Sequence, residues 1–273
     1  MAETSAVRIC SAQIAGIWDD PKRTLQKIGC FVQHAARSGA ALIAFPEQFL
    51  TGWDPQSSRH SEPSNGSIVT MLKDLARVNH IAILGSFRER RGDDNDPPYN
   101  TAIAIDRSGG ILTAYAKVHL FTPGGESEYY SQGSELGIFR LGNLTCGIAI
   151  CYDLRFPELF RIYAQNGVQA MFIPAAWPEA RMRHWELFIA ARACENQMYV
   201  TGINTTGISP VDTYSGGSMT ADPLGLITCR AGRAEELLFC DLDPALIKKV
   251  RASLPFANDS RHDLYSALSV RER

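Results

Sequence analysis

The stretch Gly147-Ile148-Ala149-Ile150-Cys151-Tyr152-Asp153-Leu154-Arg155-Phe156-Pro157-Glu158 decides how the rest of the chain is read. Gly147 to Ile150 is too apolar for anything but a buried strand. It ends on a cysteine, and Pro157 then stands where a helix opens, because proline at the first helical position sacrifices no hydrogen bond. Working outward, Pro157 to Gln165 reads as that helix and Ala170 to Ile173 as the next strand. On the other side, Leu136 to Arg140 and Thr145 to Ile150 fit a hairpin turned at Gly142-Asn143. Strand, helix and strand in succession point to a mixed α/β unit.

The same alternation continues to both ends. Val7 to Ile14 reads as a buried strand. Asp20-Pro21 supplies an N-cap and first turn, after which Leu25, Ile28, Val32 and Ala35 recur at helical spacing up to Gly39. Ala41 to Phe45 is a short apolar run that stops at Pro46. Ser67 to Val78 reads as a helix with Ile68, Met71, Leu72 and Leu75 on one face. Ile81 to Phe87, Thr101 to Ile105 and Leu112 to Lys117 read as strands separated by polar turns. Arg181 to Gln197 forms a long helix carrying Trp185, Phe188, Ile189 and Ala193 on one face. Strands follow at Met198 to Ile203, Gly217 to Ala221, Leu226 to Cys229 and Leu237 to Leu242, then a helix from Pro244 capped by Asp243. The polar tail from Ser253 lies on the surface or reaches a partner subunit. No repeat or linker divides the 273 residues, so residues 1–273 are expected to form a single α/β domain with two sheet layers between helices.

Composition bounds the function. With 45% hydrophobic and 21% charged residues, the chain can bury a sizeable core and is not disordered. Its 27 basic and 29 acidic side chains leave a net charge of -2 and a pI near 6.3. Nucleic-acid-binding domains usually have a pI above about 9. No tract approaches the roughly 18 apolar residues of a membrane span, and Met1-Ala2-Glu3-Thr4-Ser5 does not open an export signal. The expectation is a soluble cytoplasmic protein with neither nucleic-acid nor membrane partner. Seven cysteines without a CxxC pair argue against a disulfide framework, and six histidines without HExxH or HxxxH spacing argue against a built-in metal site. Most of the cysteines read as small core residues.

Three buried strands each end beside a reactive side chain, where catalytic groups are commonly mounted on loops over a rigid scaffold. Glu47 follows Phe45-Pro46. Lys117 closes the run Tyr115-Ala116 and precedes Val118-His119. Cys151 ends the strand of the opening stretch. Each has a plain structural reading: a solvated loop carboxylate, a lysine snorkelling to the surface, a core thiol. Together the plain readings weaken, because a carboxylate, an ammonium and a thiol recur in one layout.

These same segments resemble the three motifs of the nitrilase superfamily, the carbon–nitrogen hydrolases, and the likeness runs from Ala12-Gln13 to about Leu242. The resemblance implies a four-layer α-β-β-α sandwich, a homodimer or higher even oligomer formed through a helical face, and a small-molecule amide as substrate. It implies a Glu–Lys–Cys triad at Glu47, Lys117 and Cys151. A second glutamate of the family pattern fits best at Glu126, with Glu128 the lesser contender, since Gln132 stands where the family has proline. An unperturbed thiol, with a pKa near 8.5, is only a few per cent ionised at neutral pH. The implied mechanism has Lys117 favour the thiolate and Glu47 take the thiol proton. The oxyanion is held by Lys117 and the Tyr152 N–H, and Glu47 later activates water to release a thioester. Glu126 orients substrate or Lys117. No metal or organic cofactor is required.

Rival chemistries fit less well. A glutamine-amidotransferase elbow has small residues flanking the nucleophile, whereas Cys151 has Ala149 and Asp153 two places away, and the next histidine is His184. No GxSxG motif occurs. A catalytically inactive scaffold is the reading from another class. Within the superfamily, the Cys151 segment, Ala175-Ala176-Trp177-Pro178, His184-Trp185 and Arg192 to Tyr199 look most like bacterial omega-amidases, which act on dicarboxylate monoamides such as 2-oxoglutaramate. Aliphatic amidase, deaminated-glutathione amidase and N-carbamoyl amidohydrolase are the alternatives. A substrate carboxylate needs a cation, for which Arg155, Arg181, Arg183 and His184 are candidates, with Arg155 more suited to a structural ion pair. Trp177 is a candidate pocket wall. Phe49, Trp53 and the loop Thr122 to Tyr130 are candidates for shaping access.

Overall fold

The computed structural model describes residues 6–93 and 96–265. Its first strands are β1 (Val7–Gln13), β2 (Leu42–Ala44), β3 (Ala82–Glu89), β4 (Tyr99–Ile105), β5 (Ile111–Ala116), β6 (Gly137–Leu141) and β7 (Leu144–Ile148). Then come β8 (Ala170–Ala175), β9 (Tyr199–Asn204), β10 (Thr206–Ile208), β11 (Thr213–Ser215), β12 (Met219–Ala221), β13 (Ile227–Arg230) and β14 (Glu236–Leu242). The helices are α1 (Pro21–Arg37), α2 (Ser67–Asn79), α3 (Glu126–Tyr129), α4 (Pro157–Gln165), α5 (Met182–Asn196), α6 (Pro244–Ser253) and α7 (His262–Tyr265).

Two six-stranded sheets form, ordered β14-β1-β2-β3-β4-β5 and β13-β12-β9-β8-β7-β6. Each has a parallel centre, β1-β2-β3 in one and β7-β8-β9 in the other, with antiparallel strands outside. The period-two alternation of strands sends one set of side chains to each face. Leu42 and Leu84 from the first sheet meet Ile148 and Phe172 from the second in a core between the sheets. On the outer faces, Ile43 and Ile83 pack under Ile28, Val32 and Leu72 of α1 and α2. Met171 and Ile173 pack under Phe160 and Ile189 of α4 and α5. The order of layers is therefore helix, sheet, sheet, helix, the sandwich implied by the sequence motifs.

Local signals act as read. The Asp20 side chain accepts from Arg23 N–H at 3.0 Å to start α1, and Asp243 accepts from Ala245 N–H at 2.8 Å to start α6. Leu25, Ile28, Val32 and Ala35 are all buried. Gly202 lets α5 seat on β9, since a Cβ there would lie 2.3 Å from Trp185 Cζ2. Met71, by contrast, is 37% exposed, and Val69 and Ala76 take its place on the buried face of α2. The β10–β11 hairpin was not legible, because Gly207 and the exposed Ile208 break the apolar alternation. In the tail, a 3₁₀ turn at Phe256–Asp259 and α7 carry mostly exposed residues, and the part beyond Tyr265 lies outside the described residues. The seven cysteines are free thiols; Cys10, Cys146 and Cys240 are core residues, whereas Cys30 and Cys194 are exposed. No helix among the described residues is long and apolar enough to cross a membrane.

Candidate active site

The three strand ends converge where the two sheets meet. Past β2, Phe45 N–H still bonds Leu84 O at 2.8 Å, so the chain leaves the sheet only at Pro46 and delivers Glu47 inward, 1% exposed. Gln48, at a left-handed φ of 44°, holds the turn by donating its N–H to Ser86 Oγ and accepting from Arg88 Nε. Lys117 follows β5, tied by its N–H to Asn100 O at 2.9 Å. Its side chain does not snorkel to the surface: it is 1% exposed.

Cys151 opens the 3₁₀ turn Cys151–Arg155 after β7, with a left-handed φ of 44°. A non-glycine residue held there costs on the order of 1–3 kcal/mol, which surrounding bonds must offset. Asp153 supplies them. Its buried carboxylate accepts from Ile150 N–H at 2.9 Å, Tyr115 Oη at 2.7 Å and His119 N–H at 2.9 Å, while His119 Nδ1 stands 2.9 Å away. The strained elbow that Ala149 and Asp153 seemed to disfavour is thus present. Asp153 does not obstruct it but turns back to brace it. Tyr163 adds a second brace from α4, donating to Ile148 O and accepting from Gly137 N–H. Asp153→Asn faces the same three donors with one acceptor oxygen and an NH₂. Its unfolding free energy is expected to fall by about 1–3 kcal/mol, read from urea midpoints, with kcat falling as the elbow loosens.

Around the elbow the charged groups form a chain. Lys117 Nζ lies 2.8 Å from Glu47 Oε1 and 2.8 Å from Glu126 Oε2. Asn100 Nδ2 donates to both carboxylates, at 2.8 Å to Glu47 and 3.0 Å to Glu126. The amide must present its nitrogen there, because its oxygen would face two anions. Ala176 N–H donates to Glu47 Oε2 at 3.1 Å and Phe121 N–H to Glu126 Oε2 at 2.7 Å. The Cys151 thiol and the Glu47 carboxylate are close enough for each to shift the other's acidity. Glu126 is buried whereas Glu128 is exposed, so the second glutamate of the cluster is Glu126.

The two carboxylates are pushed apart in acidity. Burial lifts both; for Glu126 the Lys117 ammonium, the Phe121 N–H and Asn100 outweigh it, and the carboxyl ends below its ordinary range. Glu47 ends above its ordinary range, because burial and the charge of Glu126 together exceed the pull of Lys117. For Lys117, burial is outweighed by Glu126 and Glu47, which hold it well above the ordinary lysine value. Burial and the Glu47 charge drive the Cys151 thiol well up, and Lys117 opposes them without prevailing. Lys117 thus acts in the expected direction, and the sulfur keeps its proton until a base takes it. Divergent carboxylates of this kind mark one as a fixed charge and the other as a proton carrier.

A pocket with about 340 Å³ of empty space, its mouth included, opens over Cys151 and Lys117. Trp53, Phe121 and Trp177 wall it, and Arg155 and Arg181 line it. Cys151 keeps part of its surface open to this space. Arg155 makes no ion pair with a carboxylate among the described residues, contrary to the structural pair expected for it. Instead its guanidinium stacks 4.7 Å from the Trp177 ring centroid, and burial lowers its pKa. His184 does not line the pocket. It sits exposed on α5 with Nδ1 3.4 Å from Arg155 Nη1, behind the arginine and not beside the substrate space. Arg183 is exposed, outside the lining. Asn100 and Asp153 bond directly to the charged cluster and to the elbow, and the motif reading gave neither a role. Nothing in the local sequence distinguishes them from turn residues. Among the described residues no group of three or more His, Cys, Asp or Glu side chains is arranged to hold a metal ion.

Residues 7–252 match the carbon–nitrogen hydrolase family. The chain is 35% identical over 247 residues to the 2-oxoglutaramate amidase of Bacillus subtilis (strain 168), covering 90% of this chain and 94% of that one. It is 30% identical to the omega-amidase NIT3 of Saccharomyces cerevisiae, over 97% of this chain and 96% of the relative. A carbon–nitrogen hydrolase superfamily protein of Xanthomonas campestris, solved with an arsenic adduct in its active site, aligns with a TM-score of 0.87 at 26% identity, over 93% of this chain and 97% of that chain. A mutant amidase from Nesterenkonia sp., covalently modified at its active-site cysteine, aligns with a TM-score of 0.82 at 27% identity, over 93% and 97%. Sheet topology, motif residues and these likenesses agree: the chain belongs to the carbon–nitrogen hydrolase family.

Proposed function

We propose that this chain hydrolyses the terminal amide of short dicarboxylate monoamides such as 2-oxoglutaramate, through a thioester on Cys151. The observation that carries the chemistry is one carboxylate, Glu47, bonded to the Lys117 ammonium and set close enough to the Cys151 thiol to shift its acidity. Glu47 takes the thiol proton as sulfur adds to the amide carbonyl. The oxyanion forms between Lys117 and the Tyr152 N–H, in the first turn of the 3₁₀ segment where N–H groups have no partner within the helix. Such donors are worth roughly 3 kcal/mol each in a transition state. The intermediate collapses as Glu47 passes its proton to the amide nitrogen. Ammonia leaves and the acyl group stays on sulfur. Water then adds with Glu47 as base, the carbon–sulfur bond breaks, and Glu47 returns the proton to the thiolate. Glu126, held ionised, fixes Lys117 and takes no part in proton transfer.

The substrate class rests on the arginines. Arg155 and Arg181 stand in one pocket, and the charge of Arg181 adds to burial in lowering the Arg155 pKa. Among the described residues Arg181 pairs with Asp212, at 4.0 Å. A substrate carboxylate relieves that repulsion while its chain lies along Trp53 and Trp177. The names of the bacterial and yeast relatives support the same class. The aromatic walls favour a second reading, a neutral aliphatic amidase. Assaying ammonia release from 2-oxoglutaramate, succinamate, butyramide and carbamoyl compounds separates them, with carbon dioxide marking a carbamoyl substrate. Charged hydrogen bonds are worth about 1.5–3 kcal/mol, so kcat/KM is expected to favour the carboxylate-bearing amides by roughly 10- to 100-fold. Arg155→Leu is expected to erase that preference while leaving butyramide turnover within about threefold. Equal kcat/KM for charged and neutral amides overturns the dicarboxylate assignment.

A further inference from the structure

A second cavity borders Glu47 and is not lined by Cys151. It has about 520 Å³ of empty space, its opening to solvent included, and is lined by Ala15, Glu47, Trp53, Thr205, Ser209 and Tyr214. Trp53 stands between it and the pocket over Cys151, bordering both. Its outer end is Ile208 on the β10–β11 hairpin, 86% exposed, so the cavity reaches solvent by a route separate from the pocket mouth. Its lining contains buried polar groups without proper partners. Trp53 Nε1 has none, and Tyr214 Oη, on a residue 6% exposed, has only a loose approach from Ser209. Leaving such groups unpaired costs about 1–3 kcal/mol each, and a roomy polar cavity is where water satisfies them. The Tyr214 hydroxyl shares this lining with Glu47 and is near enough to feel its charge.

The reaction has a step that needs this route, given the amidase reading above on which the inference rests. After ammonia leaves, the acyl chain is tethered to Cys151 at the floor of the pocket and by its carboxylate to the arginines at the mouth. It closes the path by which the amide arrived. Water must still reach Glu47 to cleave the thioester. We propose that the cavity bordering Glu47 is the water supply for deacylation and that Tyr214 positions the attacking water. The water gives one proton to Glu47 and its oxygen to the acyl carbon; the carbon–sulfur bond breaks, and Glu47 protonates the departing thiolate. Tyr214 is a positioning residue: it touches the water, not the acyl group.

Steady-state kinetics with 2-oxoglutaramate, together with intact-mass measurement of the enzyme during turnover, tests this. For an acyl-enzyme pathway kcat/KM reports the steps up to ammonia release, whereas kcat includes deacylation. Tyr214→Phe removes the hydroxyl without changing shape, and Ala15→Leu fills the cavity from its lining. Each is expected to lower kcat and KM together by up to about tenfold, the worth of one hydrogen bond, leaving kcat/KM unchanged. The mass peak of the acylated enzyme should grow at the expense of the free one. Where Ala15→Leu disturbs folding, Tyr214→Phe decides alone. Unchanged kcat and acylated fraction, or a fall in kcat/KM at constant KM, overturns the proposal. Wild-type enzyme releasing no ammonia from any amide sinks the amidase reading, and this inference with it.

Discussion

Lys117→Met is expected to lower kcat/KM by at least about 10³-fold and to unfold at markedly lower urea at pH 7. The turnover loss follows from deleting a charged oxyanion donor together with the partner of the base. The stability loss follows from what remains. Glu47 and Glu126 are both buried, both bonded to Lys117 Nζ and both bridged by Asn100. Breaking a buried ionic cluster by removing one member costs about 3–5 kcal/mol, because the remaining charges lose their compensation. The two carboxylates escape by sharing a proton, so their combined folded-state pKa rises above the unfolded one. A carboxyl raised in this way stabilises the fold at low pH and ceases to as pH climbs through the raised value. The deficit against wild type should therefore shrink from pH 7.5 to pH 5. In wild type Glu126 is depressed and works in the opposite sense. An equal deficit at both pH values would show that the cation does not hold the acids in place.

The second large effect separates chemistry from folding. Cys151→Ala is expected to abolish ammonia release, a loss beyond about 10⁵-fold, since no other group can carry the acyl chain. Its unfolding free energy should stay within about 1 kcal/mol of wild type, because alanine inherits the same left-handed φ and the Asp153 bonds remain. Cys151→Gly should be more stable than either, since glycine adopts a φ of 44° without steric cost. Measurable turnover by Cys151→Ala removes the nucleophile assignment. A glycine variant no more stable than wild type removes the strain.

Much of the architecture was readable because the apolar runs are long and each ends at a clear stop. Pro46, Lys117 and Cys151 end three of them, and Pro21, Pro157 and Pro244 begin helices where they stand. Composition could not reveal the site's supporting bonds. Asn100 is an ordinary polar residue in sequence, and only the pairing of β4 with β5 sets it between two carboxylates. Asp153 looked like an obstacle to a tight turn, since the direction of its side chain depends on Tyr115 and His119 from the other sheet. The acidity of Cys151 is hidden from the sequence for a related reason. The sequence names the cation beside the sulfur but does not weigh it against burial and the second anion. Arg155 and His184 fall in the right neighbourhood, but only coordinates tell which of them faces the cavity.

The order in which the chain is synthesised has a consequence for when the thiol becomes dangerous. Proton carrier, ammonium, bridging amide and fixed charge all precede residue 131, whereas the sulfur belongs to the second sheet. The last strand to be made, β14, must return and pair with β1 to complete the first sheet. A ribosome that stalls before Cys151 therefore leaves a fragment without the sulfur, and one that stalls before β14 leaves the first sheet short of a strand. The acid cluster carried by the first sheet therefore stays without its sulfur, and its sheet without an edge strand, until both later segments have been made.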